Sequence, residues 1–308
     1  MSPAQRDAAS LESSTHIKGL VLAAIGGLAI TVDIPLIRLA DGETWSILLL
    51  RSAATFIAAI VMWAVWRALS ADAPALIPGK AGWVVAGFYG VGSITFMAAV
   101  FNTSTANLVF ILAFNAAFSA ILSWIFLKER PAKATIAAMI AMIIGVGIIV
   151  WDSIGTGNLF GDFMAMCSAL FIASAITVSR ASGRDMGFTP LIGVFFPALI
   201  ALAIVAEGGY RVEQPWWVLF NGAIVMPIAF YCLGAAPRFI SGPEVSMFYL
   251  LETVLAPVWV WMIFSEAPTR NSLIGGTILV VALVAHSVWQ LLDGRRRKRA
   301  AAIVEYPV

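Results

Sequence analysis

The sequence predicts an all-α polytopic membrane protein with ten transmembrane helices in two inverted five-helix repeats, and with both termini cytoplasmic. Three observations predict it. Only 12% of the residues are charged, about half the share of a soluble domain, and they are bunched between long apolar runs. The Lys and Arg residues sort to one side of those runs. The second half of the chain repeats the first at a nearly fixed spacing. The runs are solid rather than alternating over about ten residues, which argues against a transmembrane β-barrel.

A spanning helix needs about 20 mostly apolar residues. The first expected span is 18–39 and the second is 44–67. The run 81–127 carries no charge and is too long for one helix, so its polar knot FNTSTAN at 101–107 is the natural corner between the third and fourth spans. The fifth is 133–152. The stretch DSIGTGNLFGD follows, rich in Gly, Ser and Thr, and reads as a surface connection. The remaining spans are 161–180, 188–207, 215–237, 243–265 and 270–292. The expected organisation is a cytoplasmic tail 1–17, a first repeat 18–152, a linker 153–160, a second repeat 161–292 and a basic cytoplasmic tail 293–308. The opening MSPAQRDAASLESSTH lacks the basic start, apolar core and cleavage site of a signal peptide and reads as a mobile tail. Cys167 and Cys232 both lie in apolar runs and make neither a disulfide framework nor a metal site.

With the N-terminus inside, fifteen of the nineteen Lys and Arg residues fall on the cytoplasmic side, ending in the RRRKR run at 295–299. Arg38, Arg211 and Arg270 fall outside, and Arg51 lies within a helix. The positive-inside rule then requires an even number of spans. The RRRKR run reads as a topology anchor at anionic lipid, not as a nucleic-acid surface.

Displaced by 137 residues, the chain aligns Ala98 and Ala99 with Ala235 and Ala236, Ser104 with Ser241, Trp124 with Trp261, Glu129 with Glu266 and Pro131 with Pro268. At 142 residues Gly19 meets Gly161, Leu28 meets Leu170 and Arg38 meets Arg180. Five helices per copy is an odd number, so the copies lie in opposite orientation. Inverted repeats of this kind are typical of secondary transporters that alternate access around a midplane site.

Two inverted fives, Arg51 in the second helix, and FLKERP and FSEAP ending the fourth and ninth resemble the drug/metabolite transporter superfamily, EamA type. The resemblance covers the chain after its tail. It implies a bacterial inner-membrane exporter of amino acids or other small metabolites, and it leaves the substrate open. One departure is that Glu252 and Pro257 are separated by TVLA, where the family's second repeat often has Glu-Pro together.

Glu252 is the strongest single signal. A charge near the midplane costs at least ~2.5–3.5 kcal/mol unless a partner or wet cavity receives it. The 137 spacing sets Asn115 opposite it. The functional reading is contact with a substrate amine or proton coupling, and the structural one is a helix–helix hydrogen bond. Tyr89, Tyr249, Phe248 and Trp259 are deep enough to line the same cavity. Asp33 and Arg51 each lie ~10 Å below the outer surface and suit an ion pair that clamps or gates, or else direct contact with the substrate. Arg38, farther out, either joins that gate or reaches the headgroups. His286 is a candidate proton relay to Glu252. Glu129, Glu244 and Glu266 read as ordinary helix-start chemistry.

No nucleotide-binding P-loop, metalloprotease motif or Ser-His-Asp set occurs, so no enzyme is expected, and no metal or cofactor. The expected partners are a small-molecule substrate and the lipid bilayer, with no nucleic acid, for a carrier acting as a monomer. A multidrug or lipid-linked-sugar carrier of the same fold is the alternative within transport. An intramembrane enzyme or a scaffold is the alternative outside it.

Overall fold

The computed structural model describes residues 3–70, 73–128, 130–156, 158–184, 186–235, 239 and 242–305. Helices joined by short loops make up the described residues, with one isolated antiparallel bridge, Gly42 to Val212. Among the described residues nine helical stretches are long and apolar enough to cross a membrane, and Phe248–Phe264 is a shorter apolar helix. Many apolar side chains point outward from the bundle, such as Ile57, Phe126 and Trp151. A lipid solvent accepts that surface where water would not.

The first span is α1 (Pro3–Ile30) and α2 (Asp33–Leu39), the second α3 (Thr44–Leu69) and the third α4 (Gly79–Asn102). The fourth is α5 (Thr105–Leu112) and α6 (Asn115–Leu127), the fifth α7 (Lys133–Thr156) and the sixth α8 (Leu159–Ser182). The seventh is α9 (Thr189–Gly193) and α10 (Phe195–Gly208). The eighth is α11 (Pro215–Phe220), a π-helical segment Asn221–Val225 and α12 (Met226–Ala235). The ninth is α13 (Gly242–Phe264) and the tenth α14 (Arg270–Glu305).

In the opening stretch helical backbone reaches back to Pro3, and one expectation changes. The Gly-rich connection at 152–162 is shorter than expected, since α7 runs to Thr156 and α8 starts at Leu159. Gly161 serves close packing there: an added Cβ would stand 2.3 Å from the carbonyl of Asn102. The polar knot does turn the chain, at Thr103 and Ser104, where the Ser104 hydroxyl caps α5 by accepting from the Asn107 amide. Glu129, Arg238 and Ser241 lie outside the described residues, as do the side chains of Glu244 and of the 295–299 run.

Helix packing follows a two-fold plan. The third span packs on the sixth, and the first on the eighth; the fourth packs on the sixth, and the first on the ninth. The pairs second–seventh, fourth–ninth and fifth–tenth map onto themselves. Each contact is preserved when spans one to five are exchanged with six to ten. Cross-links fix the direction. At one end of the bundle Arg38, at the finish of the first span, donates to the carbonyl of Thr103 at 3.1 Å, and Thr103 donates to Asp162, at the start of the sixth. The first span therefore arrives at the end from which the sixth departs, so the two copies run in opposite directions.

Proline explains most breaks in the spans. Its ring crowds the carbonyl four residues earlier and it offers no amide. Pro35 is preceded by the break at Thr31 and Val32, and Pro197 by the break at Val194. Pro227 follows the π-helical segment, in which the Met226 amide donates to the Asn221 carbonyl five residues back. Pro257 stays inside an unbroken α13. The break at Ala113 and Phe114 has no proline, and nothing in the sequence explains it.

Candidate functional site

A cavity of about 890 Å³ lies inside the bundle. Its inner part is lined by Asp33, Arg51, Tyr89, Asn115, Tyr249 and Glu252. Its mouth holds Arg130, Thr135, Arg180, His286 and Gln290, at the ends of the fourth, sixth and tenth spans and the start of the fifth. Arg130 and Arg180 are exposed. This is the end where most of the expected cytoplasmic Lys and Arg residues gather.

The opposite end is shut. Arg38 forms an ion pair with Glu266 and donates to the carbonyls of Val100 and Thr103 at 3.2 and 3.1 Å. Glu266 Oε1 accepts from the Thr105 amide at 3.0 Å, so it caps the fourth span rather than serving the start of the tenth. Ser272 donates to Asn107 between the same two spans. The loops add a seam, with the Glu43 amide donating to Arg211 at 2.9 Å and the Gln214 amide to Ala40 at 2.9 Å. Arg38 therefore points into this closure and not toward headgroups.

The deepest polar cluster is Asp33–Arg51–Asn221. Arg51 Nη2 donates to both Asp33 carboxylate oxygens at 3.1 and 2.9 Å. Arg51 Nε donates to Asn221 Oδ1 at 3.2 Å, and Asn221 Nδ2 donates to Asp33 Oδ1 at 2.7 Å. Its guanidinium lies over the Phe96 ring, 5.7 Å from the centroid. The break before α2 and the π-helical segment bring the three together. Gly222, in that segment, packs so close that a Cβ would stand 2.6 Å from the Arg51 carbonyl. Asn221 was absent from the sequence reading. Its signal is an amide six residues into an apolar span, with Pro227 six residues farther on.

Glu252 faces the cavity from α13, half-buried, with Tyr249 one turn earlier. Among the described residues no hydrogen bond or ion pair engages it, although it lies within electrostatic reach of Asp33 and Arg51. Asn115 lines the cavity from the first turn of α6 and Tyr89 from α4. His286 also lines it, 3.0 Å from the Thr135 hydroxyl and stacked on Trp289. No bond joins His286 to Glu252 among the described residues.

Two residues expected at the cavity lie elsewhere. Phe248 packs on Ala23 and Leu233, and its carbonyl sits where a Cβ on Gly27 would be 2.7 Å away. Trp259 Nε1 donates to Thr31 Oγ1 at 3.1 Å and ties α13 to the break in the first span. Both point from the face of α13 that meets α1, which spacing along one helix does not separate from the cavity face.

Residues 159–288 match the EamA-like transporter family. An uncharacterized transporter of Synechocystis sp. is 24% identical over 203 residues, which cover 59% of this chain and 58% of the relative. An uncharacterized transporter of Clostridium kluyveri is 26% identical over 203 residues, covering 60% and 64%. The chain thus spans about three fifths of the length of these curated relatives. A crystal structure superposes with a TM-score of 0.60 at 14% identity, over 90% of this chain and 96% of that one. At that identity it shows the fold alone. The family match and these relatives make the chain similar to EamA-type transporters of the drug/metabolite transporter superfamily, and its apolar helices are those of a multi-pass membrane protein.

Proposed function

From this EamA-type transporter character, we propose that the chain exports small polar metabolites, amino acids first, across a bacterial inner membrane by alternating access. One observation carries the reading. In a cavity closed at one end, the Asp33–Arg51 pair neutralises itself, which leaves Glu252 as the carboxylate without a bonded partner. A substrate ammonium or a proton answers that charge.

The cavity is open toward the expected cytoplasm, the state that loads an exported substrate. Substrate enters past Arg130 and Arg180, its amine meets Glu252, and Tyr89, Tyr249 and Asn115 surround it. Release requires the Arg38–Glu266 closure to part and the mouth to shut. The proposed carrier supplies positioning and charge, with no covalent step.

Counterflow in proteoliposomes tests this. Wild-type protein is expected to exchange labelled amino acids, and Glu252→Gln to lose most of that exchange. A pH gradient that accelerates wild-type transport assigns proton coupling, and indifference to pH assigns facilitated diffusion. Unchanged exchange by Glu252→Gln removes Glu252 from the mechanism.

A further inference from the structure

Two hydroxyls in the cavity stand without partners. Thr55 is 2% exposed, lines the cavity, and its Oγ1 makes no hydrogen bond. Ser93 Oγ is in the same condition, on α4. Helical Ser and Thr hydroxyls commonly bond back to the carbonyl one turn earlier. Thr95, Ser174, Thr177 and Thr277 do so in this protein. Thr55 and Ser93 do not: both residues line the cavity with their oxygens covered, and rotation about χ1 is what would turn each hydroxyl toward a ligand.

Their depth matches. Thr55 is one turn from Arg51 on α3, and Ser93 is one turn from Phe96 on α4. Arg51 lies over Phe96, so these two residues share a level. The second and third spans run in opposite directions. A step forward from Arg51 and a step back from Phe96 therefore both lead one turn toward the mouth. Both residues thus stand about one turn toward the mouth from the Arg51–Phe96 contact. Arg51 has donors left for them to join. Its Nε serves Asn221 and its Nη2 serves Asp33 and Met226, while Nη1 is engaged by no bond among the described residues.

We propose that Arg51 Nη1, Thr55 Oγ1 and Ser93 Oγ form the subsite for a substrate carboxylate. The inference deepens the amino-acid reading and rests on it: Glu252 takes the ammonium, and this trio takes the acid. A carboxylate offers two oxygens and about four lone-pair directions, which one guanidinium nitrogen and two hydroxyls serve. With Asp33 already on Arg51, the trio has too little net charge for a phosphate dianion. Asn221 and Asp33 are positioning residues here, because they hold Arg51 by Nε and Nη2 and leave Nη1 unbonded among the described residues.

The test uses the full-length protein in detergent and in proteoliposomes, with two probe pairs: L-leucine with isopentylamine, and L-lysine with cadaverine. Each amine lacks only the carboxylate of its partner. Thr55→Val and Ser93→Ala are each expected to weaken binding of the acids on the order of tenfold while leaving the amines unchanged. Both substitutions delete an unpartnered hydroxyl, so the ligand-free melting temperature is expected to hold or rise, which a merely structural role does not predict. Equal losses on acid and amine, or no loss on the acid, overturn the subsite. Wild-type protein that binds the amines and not the acids overturns it too, while sparing Glu252. Wild-type protein that binds neither overturns the amino-acid reading and the subsite together.

Discussion

Removing Asp33 is the sharpest structural test. Asp33 is 3% and Arg51 5% exposed. Asp33→Ala deletes both Arg51 bonds and the Asn221 bond, and leaves a guanidinium buried against Phe96 with only Asn221 and a sulfur as partners. Stripping one member from a buried pair costs about 3–5 kcal/mol, most of it the desolvation of the charge left behind. Arg51 borders the cavity, where water enters, so the lower end applies, about 3 kcal/mol. The assay is equilibrium unfolding of purified protein in mild detergent by SDS titration, read by circular dichroism. Arg51→Met in the Asp33→Ala background removes the stranded charge and is expected to return about 2 kcal/mol or more of that loss. A cost under about 1 kcal/mol for Asp33→Ala, the range of exposed pairs, refutes the reasoning. So does a double variant whose loss is the sum of the two single losses.

The Arg38–Glu266 closure predicts accessibility. With Cys167 and Cys232 replaced by Ala, a Leu112→Cys probe in the cavity is expected to react with an impermeant maleimide from inverted vesicles and to resist it in right-side-out ones. Adding Glu266→Gln is expected to raise the outside reaction several-fold, and an unchanged rate counts against the closure. The fifth and tenth spans meet through glycine: a Cβ on Gly275 would stand 2.5 Å from the Gly145 carbonyl and 2.7 Å from Ile149. Gly275→Val is expected to cost about 1–3 kcal/mol in the SDS titration. Gly147→Ala, with nothing within 4 Å of its Cβ, is expected to be neutral or better.

Legibility in the sequence divided along physical lines. Span positions depend on desolvation of long segments, a property each segment carries alone. The charge-free run 81–127 therefore places its corner within two residues of Thr103. Glu252 and the Asp33–Arg51 pair stood out because a charge in an apolar run has few affordable positions. What faces what was less legible. Phe248, Tyr249 and Trp259 lie on one helix, and of the three only Tyr249 lines the cavity, because rotation of α13 is set by Gly27, Ala23 and Thr31 of the first span. Thr55, Ser93 and Asn221 gave weak signals, since isolated hydroxyls and amides are common in membrane helices and satisfy themselves on their own backbone. The Glu266 contact with Thr105 joins residues 161 positions apart, and no local pattern encodes it.

The two-fold packing plan has an energetic consequence. The molecule is drawn on a symmetric set of helix pairs and stands in an asymmetric state, shut at one end and open at the other. Exchanging the conformations of its two halves gives a second state built from the same pairs. Most of the packing free energy is common to both and cancels from their difference. The bias between them is left to the few groups that break the sequence symmetry, among them Arg130 and His286, which meet Ala267 and Ile149 at the 137-residue spacing. A gap of only ~2.7 kcal/mol already holds one state at about 99%. A single substitution at either end is therefore large enough to set which way the carrier faces at rest.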